Sequence, residues 1–307
     1  AEQPQIRHEM PLDLSAVLVL ASCIGGAVAA EWLFADRQAR GESLRDATGV
    51  LTGLLLGLTL PPGLPLWMAF LGGFIGIALG KVIWGGLGQN LFNPALLGRA
   101  FLLATFPIAM TTWVPAVTDG GFLQVYPGNL ALPFMQVQID AMSSATPLGL
   151  MKFEQEVTPL TNLMFGKTTG SLGETSGLLL LLGGVFLWLR RDLDWRIPIS
   201  ILLTVMVFSA ILGLFDADRF PSPLFSVFSG GLLLGAIYMA TDPVTSPVTP
   251  KGAWIFGIGT GVLVMLIRVF GGLPEGVMYA ILLMNAATPL IDRYTQPRVF
   301  GRGGDSE

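Results

Sequence analysis

The residues with the most chemistry to offer lie close together. Asp140-Ala141-Met142-Ser143-Ser144-Ala145-Thr146-Pro147-Leu148 places an acid, two serines and a threonine on a stretch closed by proline. By residue type it reads as an Asx or Ser turn stiffened by Pro147. Asp242-Pro243-Val244-Thr245, after Ala240-Thr241, puts a carboxylate where an apolar run is interrupted. An acid there is costly unless paired or facing a cavity, so it marks either a site or a capped helix end. Gly170 to Ser176 runs into a helix and suits an anion at free N–H groups or, the reading favoured here, a cap made by Thr175 or Ser176. Arg99 sits inside an apolar run and needs a partner, with Asp292 and a cofactor phosphate as candidates. One cysteine, Cys23, and one histidine, His8, exclude an iron–sulfur cluster, a structural zinc and a bis-histidine haem. Cys23, on an apolar face, reads as a small core residue.

The elements that must position these residues belong to a membrane. Of 307 residues only 12% are charged and 52% are apolar, against roughly 25% charged in an ordinary soluble domain. A net charge of −4 offers no basic patch for nucleic acid. Nine apolar runs have about the length that crosses hydrocarbon as helix: 12–34, 46–60, 66–84, 94–110, 176–190, 197–214, 224–241, 252–270 and 275–292. Several are short or broken by Gly and Pro, which is tolerated where neighbouring protein satisfies the freed backbone groups, and many Gly and Ala positions are expected to be helix contacts. Arg37, Arg40, Arg45, Lys81, Arg190, Arg191, Arg196, Lys251, Arg293, Arg298 and Arg302 fall on one side, against Arg7, Lys152, Lys167, Arg219 and Arg268 on the other. The bias places the C-terminus in the cytoplasm and the long connection 111–175 outside it. Glu31, Asp46, Asp242 and Glu275 lie near span ends, so a carboxylate relay through span centres is not expected.

An internal repeat organises the spans. Gly53-Leu54-Leu55-Leu56-Gly57 recurs as Gly231-Leu232-Leu233-Leu234-Gly235, each followed by a proline-rich break, and Asn93-Pro94 to Arg99 resembles Asn285 to Arg293. The copies lie five crossings apart, so they must be inverted, an arrangement that sets ligand sites at the repeat interface. The expected fold is all-α and polytopic, with a first inverted repeat at 1–110 (four spans), the extracytoplasmic connection 111–175, a second repeat at 176–292 (five spans) and a cytoplasmic tail at 293–307. A full inverted pair has ten helices, so one helix is expected before Ala1.

These motifs resemble the RnfD/NqrB family, the membrane subunits of the Rnf ferredoxin:NAD oxidoreductase and of the sodium-translocating NADH:quinone reductase. Asp140, Ser143, Ala145 and Thr146 match the family's Asp-x-x-Ser/Thr-Gly-Ala-Thr context, with Ser144 where glycine is usual. Further matches are Gly85-Gly86-Leu87-Gly88-Gln89-Asn90 with Asn93-Pro94, Gly170 to Ser176, and Ala240 to Thr245; they look closer to RnfD than to NqrB. The resemblance implies FMN esterified through its phosphate to Thr146, by a flavin transferase that needs an accessible hydroxyl on a flexible external loop. It implies a noncovalent riboflavin in the bundle, and Asn90, Asn93, Thr241, Asp242, Thr245 and Asn285 are candidate flavin contacts, with capping of broken helices as the alternative for the asparagines.

The expectation is therefore an electron-transfer subunit in the bacterial inner membrane. It belongs to a complex that couples electron transfer between ferredoxin and NAD to sodium or proton movement. Its expected partners are a second FMN-carrying subunit, iron–sulfur subunits, the flavin transferase and membrane lipid, with every metal centre on other chains. The rival from another class is a urea- or ammonium-like transporter on the same inverted bundle, and residues 140–147 discriminate between them.

Overall fold

A computed structural model describes residues 14–35, 46–113, 125, 127–133, 145–166, 168–174, 176–216 and 220–297. Among them every regular element is helical. In chain order the helices are α1 (Leu14–Phe34), α2 (Thr48–Leu58), α3 (Leu66–Ile77), α4 (Pro94–Thr105), α5 (Pro107–Thr111), α6 (Pro147–Gly149), α7 (Leu160–Phe165), α8 (Gly177–Leu189), α9 (Arg196–Phe215), α10 (Pro223–Phe228), α11 (Leu232–Leu234), α12 (Pro250–Phe270) and α13 (Val277–Thr295). Each of the nine apolar runs contains helix. Three helices, α1, α9 and α12, are long and apolar enough to cross a membrane, and the other apolar helices are shorter.

The starts of the helices follow from local chemistry. Asn93, Thr146, Ser222 and Thr249 each precede a proline and accept hydrogen bonds from N–H groups of the first turn. Proline at the first helical position gives up an N–H that has no partner there, while the residue before it supplies the cap. Ser176 caps α8 through the Leu179 N–H at 3.4 Å, in line with the capping reading of that stretch; Thr175 lies outside the described residues. Three helices, α3, α6 and α11, continue into π-helical turns at Ala78–Val82, Leu150–Glu154 and Gly235–Met239, a widening frequent at functional sites.

Packing depends on bare backbone. A methyl group on Gly53 of α2 would lie 2.6 Å from Ile24 Cα of α1, and one on Gly98 of α4 2.7 Å from the Gly72 carbonyl of α3, so these helices touch without side chains between them. α1 packs on α2 and α3, α3 on α4, α9 on α12 and α12 on α13. A continuous core joins Cys23, Leu56, Leu96, Ile201, Leu233, Phe256 and Ile281, and Cys23 is a buried core residue as expected. Leu203, Val207, Ile211 and Leu214 stand exposed along α9 at helical spacing, an apolar stripe suited to lipid.

Four expectations need correction. The run 224–241 is two helices, parted at Ser229 to Gly231 with Gly230 at φ 65°. Gly53 to Gly57 lies at the end of a continuous helix, whereas Gly231 to Gly235 opens the second piece of a broken one, so the two pentapeptides differ in local structure. Lys81, counted among the loop cations, is buried and ion-paired with Glu31, and it donates to Thr48 Oγ1 at 2.6 Å. Within the connection 111–175, the described segment from Leu148 to Leu163 packs on the bundle and is not a free loop: Leu148, Met151 and Leu163 bury themselves against Phe225.

Candidate functional site

Thr146 ends up on the wall of a cavity. Pro147 fixes the first turn of α6, and the Thr146 hydroxyl caps it by accepting from the Gly149 N–H at 3.2 Å. Thr146 is 5% exposed, so the accessible hydroxyl on a flexible loop is corrected: Thr146 is buried on a folded segment and lines a cavity. The cavity holds about 510 Å³, within the range of small-molecule sites. Its walls are Ala145, Thr146, Gly149 and Phe153 from the α6 segment, Arg99, Leu103, Met110 and Trp113 from α4, α5 and the residues after them, Gly231 at the helix break, Glu275, and Met278 and Tyr279 of α13. Asp140, Ser143 and Ser144 lie outside the described residues.

A charged cluster borders this cavity. Arg99 Nη2 donates to Glu275 Oε2 at 2.7 Å, which corrects Asp292 as its partner; Asp292 sits on the last turns of α13 and accepts from the Val248 N–H at 3.1 Å. Arg268 of α12 donates to the carbonyls of Ser226 at 2.6 Å and Ser229 at 2.9 Å, satisfying groups freed by the break between α10 and α11. Lys152 caps the end of α12, donating to the carbonyls of Arg268 at 2.9 Å and Gly271 at 2.5 Å; burial lowers its pKa. Glu174 enters from the segment that pairs with α2 through Leu172 N–H to Leu60 O, 3.1 Å, and Gly173 N–H to Leu58 O, 2.6 Å. Burial first, then the neighbouring Glu275, push its carboxyl up to about 8, against the pull of Arg99 and Ser171.

Sequence reasoning missed Glu174 and Glu275 as site residues. Arg99 inside an apolar run was the available signal, because a guanidinium there demands a carboxylate.

The remaining predicted contacts form a polar waist elsewhere in the bundle. Asn93 Oδ1 accepts from the N–H groups of Ala95 and Leu96, and its Nδ2 donates to the Met239 carbonyl at 3.1 Å. With the Asn285 amide turned to satisfy both ends, its oxygen accepts from the Asn93 N–H at 3.1 Å and its nitrogen donates to Ile281 O at 3.2 Å. The two asparagines matched by the repeat thus touch, and their amides are engaged within the protein. Asp242 Oδ1 accepts from Val244 N–H and Oδ2 from Thr245 Oγ1, both at 3.2 Å, while Thr241 Oγ1 donates to Ile237 O. Asn90 is buried with Oδ1 unpartnered. None of these residues lines the Thr146 cavity.

The sequence of this chain matches, over residues 8–301, the model of a known protein family. The chain belongs to the NQR2, RnfD, RnfE family. Members of the family similar to it include the D subunit of the proton-translocating ferredoxin:NAD(+) oxidoreductase complex of Clostridium ljungdahlii, 41% identical over 302 residues that cover 94% of this chain and 85% of the relative. The D subunit of the ion-translocating oxidoreductase complex of Stutzerimonas stutzeri is 44% identical over 253 residues, 77% of this chain and 70% of the relative. The protein of the same name from Yersinia pseudotuberculosis is 39% identical over 275 residues, 84% and 78% respectively. The resemblance drawn from Thr146 and the glycine motifs is borne out at the level of the family and of its D subunits.

Proposed function

We propose that this chain is the flavin-bearing RnfD component of an Rnf-type, ion-translocating ferredoxin:NAD oxidoreductase complex, and that it holds FMN through a phosphoester on Thr146 Oγ1. The observation that carries the reading is the placement of the motif threonine: Thr146 lines a cavity of about 510 Å³, large enough for a heteroaromatic cofactor. The lining fits such a group. Phe153, Trp113 and Tyr279 offer rings, Leu103, Met110 and Met278 an apolar surface, and Arg99 a guanidinium for an anionic part of the ligand. When bound, the flavin supplies electron exchange in steps of one or two. The chain's own residues anchor it, enclose it and set the charge around it.

The relatives carry names of ferredoxin:NAD and ion-translocating oxidoreductase complexes, which supports assembly with other subunits. A second FMN-carrying subunit, iron–sulfur subunits and a flavin transferase are the partners the reading requires. A bacterial inner-membrane location, with Thr146 on the outer side and the C-terminus in the cytoplasm, is supported by the positive charge bias and by the gathering of Lys152, Arg268 and Thr146 at one end of the bundle. The inverted repeat, with bounds near 1–110 and 176–292, is supported by the recurrence of α1 on α3 and α3 on α4 as α9 on α12 and α12 on α13. A noncovalent riboflavin belongs to the same reading, and Asn90 has the free acceptor for it.

The test is direct. The purified complex is denatured and separated on a gel under ultraviolet light; the wild-type chain is expected to fluoresce, to weigh more than its sequence mass by FMN less one water, and to lose both properties in Thr146→Ala. A wild-type chain that is dark and of unmodified mass overturns the proposal.

A further inference from the structure

Four charged side chains meet beside the Thr146 cavity, and two of their oxygens lack a partner. Arg99 and Glu275 form the 2.7 Å ion pair. Glu174 reaches the same place from another segment: a methyl group on Gly231 would lie 2.7 Å from its Oε1, and one on Gly170 would lie 3.4 Å from its Oε2. Bare backbone thus encloses the carboxyl group on two sides. Arg268 spends Nη1 and Nη2 on carbonyls, and its Nε is buried without a partner. Ser171, fully buried, faces the Glu174 carboxyl group. Glu174 Oε1 and Glu275 Oε1 are both shut away from solvent with no hydrogen-bond partner.

Two ionised carboxylates with orphan oxygens in one largely buried cluster repel each other and lose much of their hydration, and a single proton relieves both costs. Glu275 has the guanidinium at 2.7 Å, so the proton belongs on Glu174. With Glu174 neutral, Arg99, Arg268 and Glu275 leave one net positive charge in the cluster itself, with the carboxyl group of Glu154 further along the cavity wall. Negative charge entering the cavity then strengthens the hold on that proton, because a like charge disfavours the carboxylate.

We propose that Glu174 is a proton-binding site whose occupancy follows the charge held in the Thr146 cavity. This rests on reading the cavity as a flavin site. The charge is then an electron brought by a one-electron donor and later taken by a one-electron acceptor. Where the site is partly empty, a proton from water binds Glu174 as the electron arrives and returns to water as it leaves. The groups facing Glu174 are Arg99 of α4, Arg268 of α12, Glu275 ahead of α13 and Ser171 of its own segment. By reciprocity, the proton raises the electron affinity of the cavity as much as the electron raises the proton affinity of Glu174.

Infrared difference spectra of the purified complex, recorded between neutral and alkaline pH, test the site. Ordinary carboxyl groups are ionised throughout this range, so a protonated-carboxyl band that bleaches with rising pH in the wild type and is missing in Glu174→Gln is the expected result. Chemical reduction should move that titration to higher pH by about one unit, a tenfold gain in proton affinity of the size a nearby like charge produces. Glu275→Gln should move it to lower pH, and this variant keeps the test open if Glu174→Gln fails to assemble. A band unchanged in Glu174→Gln, no band in the wild type, or a titration that reduction leaves in place overturns the inference. A chain dark under ultraviolet light instead sinks the flavin reading, while the band still reports on Glu174.

Discussion

At the scale of single residues, buried charges decide what each end of the bundle tolerates. Glu31 and Lys81 are 4% and 6% exposed and meet Thr48, so neither charge can turn to water when its partner is lost. Lys81→Met should therefore cost about 3–5 kcal/mol, the penalty for stranding a buried carboxylate, while adding Glu31→Gln should recover most of it. Thermal unfolding of the two variants in detergent checks this; equal losses would show that the pair is not the source. Thr146 was legible in the sequence because a hydroxyl residue placed before proline is a local signal, and it stands in the structure as the cap of α6. The partner of Arg99 was not. Asp292 and Glu275 both lie near the ends of the last apolar run, and only the direction of α13 reveals that Glu275 precedes the helix on the cavity side while Asp292 sits near its far end.

At the scale of elements, the short helices depend on side chains borrowed from their neighbours. Asn93 both caps α4 and binds the Met239 carbonyl at the end of the π turn after α11. Asn93→Ala should cost about 2 kcal/mol, from a lost cap and a stranded carbonyl together. Asn93→Ser should restore the cap and leave only the carbonyl unpaired; an unfolding midpoint for Asn93→Ala equal to that of the wild type would contradict this. The helix starts were legible wherever a capping residue preceded proline, since both preferences are local. The break at Ser229 to Gly231 was not, because serine and glycine also occur inside continuous apolar helices and what parts these two is Gly230 in a left-handed conformation with Arg268 supplying donors from α12. Burial of Glu174 was equally hidden, since it depends on a backbone pairing between its segment and the end of α2.

For the whole molecule, the proposed orientation can be read with one thiol. The sequence contains a single cysteine, and Cys23 is buried, so the wild-type chain should resist thiol reagents. Leu132 is 64% exposed, close to Asn129, which donates to the Pro62 carbonyl after α2 at 2.9 Å. Leu132→Cys should react with a membrane-impermeant maleimide added to intact cells; labelling only after the cells are broken would invert the assignment. The membrane class was legible from composition and run length, since both reflect the solvent around the chain. The shape of the cavity was not, because it is assembled from segments distant in sequence.

The tie between α6 and α12 bears on how any attached cofactor could work. Lys152 binds the carbonyls that end α12, and Arg268 of that end grips the carbonyls of α10 and the residue after it. Three segments are fastened in series within a few residues of Thr146, so a group attached there would ride on a fixed mount and not on a swinging arm. Such a mount cannot carry electrons by travelling. Its exchange partners must come within tunnelling range of this face of the bundle, and the fit between neighbouring chains, more than the length of a tether, would set the rate of transfer.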